Sequence, residues 1–136
     1  VLIDSTNKKI NYLKEVIKEL NLTNCEAISS RVEELKEKEK YDVIISRAFA
    51  PLNIYLELVT SLAKINGDII ALKGSKANEE LSNSENAMKK LFLSLSKIQA
   101  TALYNKEKRI NLIFKKNKKT DNKYPRRYSE IKKKPL

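Results

Sequence analysis

The chain opens on a short apolar run, Val1-Leu2-Ile3-Asp4, which predicts a β-strand, and the hydrophobic period then changes. Ile10, Leu13, Val16, Ile17 and Leu20 recur at three- and four-residue steps and so share one face of a helix, while Lys8, Lys9, Lys14 and Lys18 stay wet. Ser5-Thr6-Asn7 supplies hydroxyl and amide groups able to cap that helix, and Asn21 ends it. Cys25 to Ser29 reads as a second short strand, followed by a helical turn at Arg31-Val32-Glu33-Glu34-Leu35. Tyr41-Asp42-Val43-Ile44-Ile45-Ser46 is a β-branched run of the kind found in sheets covered on both faces. Ala50-Pro51-Leu52-Asn53 breaks it and leads into a helix with Ile54, Leu58, Val59 and Leu62 inward, which Asn66-Gly67 turns back into a strand from Asp68 to Lys73. Gly74-Ser75 opens a long helix through about Leu93, with Leu81, Met88, Leu91, Phe92 and Leu95 near one face. Ile98 to Tyr104 and Arg109 to Phe114 form an antiparallel hairpin around Asn105-Lys106-Glu107-Lys108.

Strands alternating with helices predict parallel βαβ units, and a closing antiparallel pair is a common edge for a doubly wound α/β sheet. In such sheets ligands bind outside the carboxyl ends of the strands. Asp4 stands at the first of these ends, where a carboxylate can accept hydrogen bonds from both hydroxyls of a ribose; it can equally serve as a helix N-terminal charge. After the second strand, Val32 can cover one face of an adenine while Glu33 meets its polar edge, or the tripeptide is a charged helix start. Arg47 leaves a buried apolar strand, so its guanidinium points into a ligand crevice or into a structural ion pair. Lys73 is placed for a phosphate and Gly74 for a tight turn.

Composition narrows the chemistry. With 136 residues and 41% apolar content the chain suits one globular domain. The absence of His and the presence of only two Gly exclude a GxGxxG loop, a P-loop, a His-based triad and a typical zinc site, so no metal is expected. Cys25 is the single cysteine, which rules out an intrachain disulfide, suits a reducing cytoplasm and reads as core rather than nucleophile. No apolar run approaches the roughly 20 residues of a membrane span, and no secretory leader is recognisable. The chain begins on Val1, already within a strand, which points to an upstream part not included in it.

Charge is concentrated at the other end. Of a net +11, the stretch from Lys115 to Leu136 holds ten Lys/Arg against Asp121 and Glu130. It surrounds Lys123-Tyr124-Pro125-Arg126-Arg127, where cations beside an aromatic can bind a nucleic-acid backbone and stack on bases; a solvated tail is the plainer alternative.

Taken in order, Asp4-Ser5-Thr6-Asn7-Lys8-Lys9, Arg31-Val32-Glu33-Glu34, Ser46-Arg47-Ala48-Phe49-Ala50, Ala71-Leu72-Lys73-Gly74 and Lys123-Tyr124-Pro125-Arg126-Arg127 resemble the family of ribosomal RNA small subunit methyltransferase G, also called the glucose-inhibited division protein B family. The resemblance covers nearly the whole chain; it departs at Val32, where the family usually has Ala, and at Tyr128-Ser129-Glu130-Ile131, which replaces a stretch with Gly and Pro. It implies a Rossmann-like class I methyltransferase fold over residues 1–114 with a basic tail over 115–136. It also implies S-adenosyl-L-methionine as cofactor, held by Asp4, Ser5, Thr6, Val32, Glu33 and Arg47 in one adenosine-shaped slot. The implied reaction is methylation of guanine N7 in 16S ribosomal RNA, naked or in a small-subunit precursor, by a monomer in the cytoplasm. Charge adds RNA contacts from Lys73, Lys123, Tyr124, Arg126 and Arg127. The family's first sheet strand and glycine-rich cofactor loop do not occur in the sequence, so the chain alone is expected to bind cofactor weakly and to catalyse little. A non-enzymatic RNA- or ribosome-binding module is the alternative, and a nicotinamide-dependent oxidoreductase using Asp4 for ribose is a third reading.

Overall fold

A computed structural model describes residues 1–102 and 108–136, so Tyr104 and the proposed turn residues Asn105-Lys106-Glu107 lie outside the described residues. The chain divides into two compact units, Val1–Lys36 and Glu37–Leu136.

The first unit is a single βαβ turn. Strand β1 (Leu2–Asp4) and strand β2 (Ala27–Ser29) pair in parallel, Leu2 opposite Ala27 and Asp4 opposite Ser29, and helix α1 (Asn7–Glu19) packs on both. Right-handed twist makes this the ordinary way to join two adjacent parallel strands. The helix does start where the sequence places it, but not by the expected cap. Thr6 is the N-cap residue without a side-chain cap bond, and the Asp4 carboxylate instead accepts from the Thr6 N–H at 2.8 Å. The predicted turn after β2 is a 3-10 turn over Val32–Glu34.

The second unit carries a mixed sheet of order β3-β4-β6-β5, from β3 (Tyr41–Arg47), β4 (Ala63–Lys73), β5 (Leu93–Ala102) and β6 (Lys108–Lys116). β3 and β4 are parallel, whereas β6 runs antiparallel to both β4 and β5. Between β3 and β4 stand helix α2 (Leu52–Val59) and a 3-10 turn over Thr60–Leu62; helices α3 (Ala77–Ser82) and α4 (Glu85–Lys90) join β4 to β5. The core sits between α2 and one face of the sheet, where Tyr55, Leu56, Leu58, Ile69, Ala71, Leu112 and Phe114 are all at 1% exposure or less. Burial pushes the Tyr55 phenol up to about 12, and its hydroxyl donates to the Ile70 carbonyl at 3.1 Å, fixing α2 against β4.

Four expectations need correction. β3 is not covered on both faces: Val43 and Ile45 are 54% and 60% exposed, because alternate residues of this edge strand face away from α2. Asn66-Gly67 does not reverse the chain; β4 already runs from Ala63, and the pair lies in a bulge where the register jumps from Tyr41 opposite Ala63 to Val43 opposite Asp68. A Cβ on Gly67 would stand 2.9 Å from the Lys64 carbonyl and 3.0 Å from that of Asp42, so only glycine lets the bulge close. The long helix is two short ones. Ser84 turns back to donate to the Glu80 carbonyl at 2.7 Å, and Phe92 enters the left-handed region at φ 56°, which releases Leu93 and Leu95 into β5. Finally, Ile54 is half-buried, the inward face of α2 being taken by Leu52, Tyr55, Leu56, Leu58 and Val59.

The basic tail is built into the second unit rather than free of it. Helix α5 (Tyr128–Lys133) packs on α2 with Ile131 wholly buried. Glu57 on α2, with no exposed surface, accepts Arg126 Nε at 2.7 Å and Nη2 at 2.6 Å, a bidentate pair that also takes the Arg126 backbone N–H. Removing the guanidinium would strand a buried carboxylate. Arg126→Ala is therefore expected to lower stability by about 3–5 kcal/mol, read as a fall in the urea midpoint, whereas Arg127→Ala on the exposed neighbour leaves that midpoint unmoved.

Candidate functional site

Parallel pairing brings the sequence-predicted residues of the first unit to one end. Asp4 and Ser29 are register partners, the Ser30 N–H donates to the Asp4 carbonyl at 3.2 Å, and the chain passes through extended Arg31 into the Val32–Glu34 turn. Asp4, Ser5, Thr6, Val32 and Glu33 thus all emerge at the carboxyl ends of β1 and β2. Ser5 and Thr6 are exposed, and Val32 and Glu33 half-buried. The Asp4 carboxyl is held below its ordinary value of 3.8, first by the Thr6 backbone N–H, then by the Thr6 hydroxyl, with Lys9 at 3.2 Å contributing. It is an ionised acceptor at neutral pH, and a third of its side chain remains open.

In the second unit Arg47 ends β3 opposite Leu72 of β4, exposed, and the chain leaves the strand through Ala48 in the left-handed region at φ 51°. Lys73 ends β4 but is not available to RNA: its ammonium donates to Glu80 Oε2 at 2.6 Å and to the Ala50 carbonyl at 2.8 Å, and only 13% of its side chain is exposed. The same Glu80 oxygen accepts the Leu52 N–H at 2.8 Å, so Lys73 and Glu80 together tie the start of α2 to β4 and α3.

Two tail residues expected to contact RNA are likewise engaged within the fold. Tyr124 is 5% exposed and cannot offer a ring face to a base; Lys123 lies 5.3 Å over that ring and pairs with Asp121 at 3.1 Å. Arg126 is spent on Glu57. Lys123 and Arg127 remain at the surface. Sequence reasoning overlooked Lys116, wholly buried at the end of β6, and Glu57; a lone acid in an otherwise apolar helix was the signal that a cation must reach it. Among the described residues no group of His, Cys, Asp and Glu is arranged to hold a metal, and no helix is long and apolar enough to cross a membrane.

The solved structures to which the chain is similar have the fold of the class I S-adenosylmethionine-dependent methyltransferases. The chain is similar in fold to the crystal structure of M. jannaschii TYW2 in complex with AdoMet, at 17% identity and a TM-score of 0.64, with 84% of this chain and 56% of that one covered. A family model described as rRNA small subunit methyltransferase G matches residues 1–111, and the chain belongs to that family. Its relatives include ribosomal RNA small subunit methyltransferase G of Mesoplasma florum, 50% identical over 132 residues, and that of Mycoplasma capricolum, 47% identical over 131. In both alignments 96% of this chain is covered, and the chain spans 56% and 57% of those relatives' lengths.

Because the Asp4 pKa is depressed by folding, its contribution to stability is complete above the unfolded value of about 3.9 and is lost as pH falls through the lower folded value. Asp4→Asn is expected to remove that acid-limb dependence, seen as a flatter plot of melting temperature against pH below about 4.

Proposed function

We propose that the protein transfers a methyl group from S-adenosyl-L-methionine to N7 of a guanine in 16S ribosomal RNA, acting as a monomer in the cytoplasm on the RNA or on a small-subunit precursor. The observation that carries this reading is membership of the rRNA small subunit methyltransferase G family over residues 1–111.

The first unit is chemically suited to the adenosine half of that cofactor. Asp4 keeps lone pairs beyond those used by Thr6 and Lys9, enough to accept ribose hydroxyls, and half-buried Val32 offers an apolar surface to adenine while Glu33 accepts from its amino edge. Ser5 and Thr6 add exposed hydroxyls at the same strand end. The bound cofactor supplies an electrophilic methyl on a sulfonium. Guanine N7 presents a lone pair and no proton, so no side chain need act as base, in keeping with a sequence that lacks His. Positioning is then the main source of rate, and such alignment is worth about 7–11 kcal/mol. Arg47 would be repelled by a sulfonium in a poorly solvated crevice, so its role is to hold an anion, the cofactor carboxylate or an RNA phosphate. Lys123 and Arg127 contact the RNA backbone. The target base is one held outside regular helix, since the A-form major groove where N7 lies is too deep and narrow for a protein pocket.

The test is methyl transfer from labelled cofactor to small-subunit RNA by the full-length protein, followed by nucleoside analysis. Label in 7-methylguanosine is expected. Asp4→Ala should weaken cofactor binding about 10- to 100-fold, as loss of hydrogen bonds to a charged group does. RNA binding without any transfer would make the protein a binding module and sink the enzymatic reading.

A further inference from the structure

Arg47 and Lys73 lie at one end of the β3–β4 pair. At the opposite end, the segment before β3, the turn before β4 and the stretch from the end of β6 onward line a small recess open to solvent. Thr120 lines it at 7% exposure, and its hydroxyl oxygen is buried with no hydrogen-bond partner. Natural structures seldom leave such a group unmet, so the hydroxyl of Thr120, a residue lining the recess, calls for a water or a polar ligand there.

The charges around it select the ligand. Lys116 is wholly buried; its ammonium donates to the Ala63 carbonyl at 2.7 Å and lies 3.4 Å from Glu39, which uses two of its three protons. Burial lowers its pKa, Glu39 offsets part of that shift, and Lys38 and Lys119 add to it by repulsion; all three lysines line the recess. The two carboxylates that also line the recess are already balanced, Glu39 by Lys116 and Asp121 by Lys123 at 3.1 Å. Among the described residues Lys38 makes one hydrogen bond, at 3.5 Å to the Tyr124 carbonyl, and neither it nor exposed Lys119 pairs with a carboxylate.

We infer that this recess is a phosphate-binding site, in which Thr120 donates its hydroxyl and Lys38, Lys116 and Lys119 surround the oxyanion. The several acceptor oxygens of a phosphate suit this set of donors, and a cation is excluded by it. The phosphate is either free or part of an RNA backbone. The second source rests on the RNA reading above; the first does not. If the backbone is the ligand, the six steps of β3 from Tyr41, opposite Ala63, to Arg47 place this contact roughly 20 Å from the Arg47 end at about 3.3 Å per residue, so the RNA must reach along the strand pair.

Calorimetric titration of the 136-residue chain with inorganic phosphate at low ionic strength tests the site. Saturable binding is expected, weakened about tenfold by Thr120→Val and by Lys119→Gln, each removing a donor to a charged group, and unchanged by Lys132→Gln. Lys119→Gln alters only an exposed side chain, so its result stands even if Thr120→Val disturbs packing. Small-subunit RNA that displaces the phosphate, with a salt slope reduced by about one in Lys119→Gln, identifies the backbone as the source. RNA that does neither identifies free phosphate. Absence of saturable phosphate binding, or equal binding by Lys119→Gln, overturns the inference and leaves the methyl-transfer reading to its own assay.

Discussion

A carboxylate with no access to water governs the last third of this structure. Glu57 lies in the middle of α2, and such a charge persists only if a cation is brought to it with good geometry. Arg126 meets that demand, and in doing so draws the segment after β6 across the helix and seats Ile131 of α5 in the core. The tail therefore divides its cations by location. Some are structural, Arg126 held against Glu57 and Lys116 against Glu39, and others, Lys123 and Arg127 among them, face solvent. Only the second group can release counterions from RNA.

The fold was largely legible because the period of the hydrophobic pattern reports which face of each element is covered. The βαβ start, β3, α2 and the closing antiparallel pair all follow from it. What escaped depends on contacts that periodicity does not encode. Gly67 reads locally as a turn, yet its role is to let the carbonyls of Asp42 and Lys64 come close within a bulge. The run from Gly74 to Leu93 has helical spacing throughout, but Ser84 and the left-handed Phe92 interrupt it. A β-branched run such as 43–45 is the same whether the second face of its strand is covered or open.

The candidate site was legible to a different degree. Topology alone directs attention to strand ends, and Asp4, Val32, Glu33 and Arg47 do lie at such ends within their own units. Composition, in contrast, counts charges without pairing them. Lys73, Tyr124 and Arg126 look like RNA contacts in a basic sequence, and Glu80, the core and Glu57 claim them. Conversely, nothing in a string of lysines singles out Lys116 or the hydroxyl of Thr120; their significance is burial, which arises only once the strands are assembled.

The open face and free edge of β3 carry a consequence for how the molecule behaves in solution. An edge strand showing Val43 and Ile45 to water, with backbone groups unpaired along one side, is a template for another copy of itself. What keeps copies apart is mutual repulsion from a net charge of +11. Concentrated salt, which shortens the screening length to about 3 Å at 1 M, removes that repulsion while leaving the apolar edge intact. Raising the ionic strength is therefore expected to favour pairing of chains along this edge.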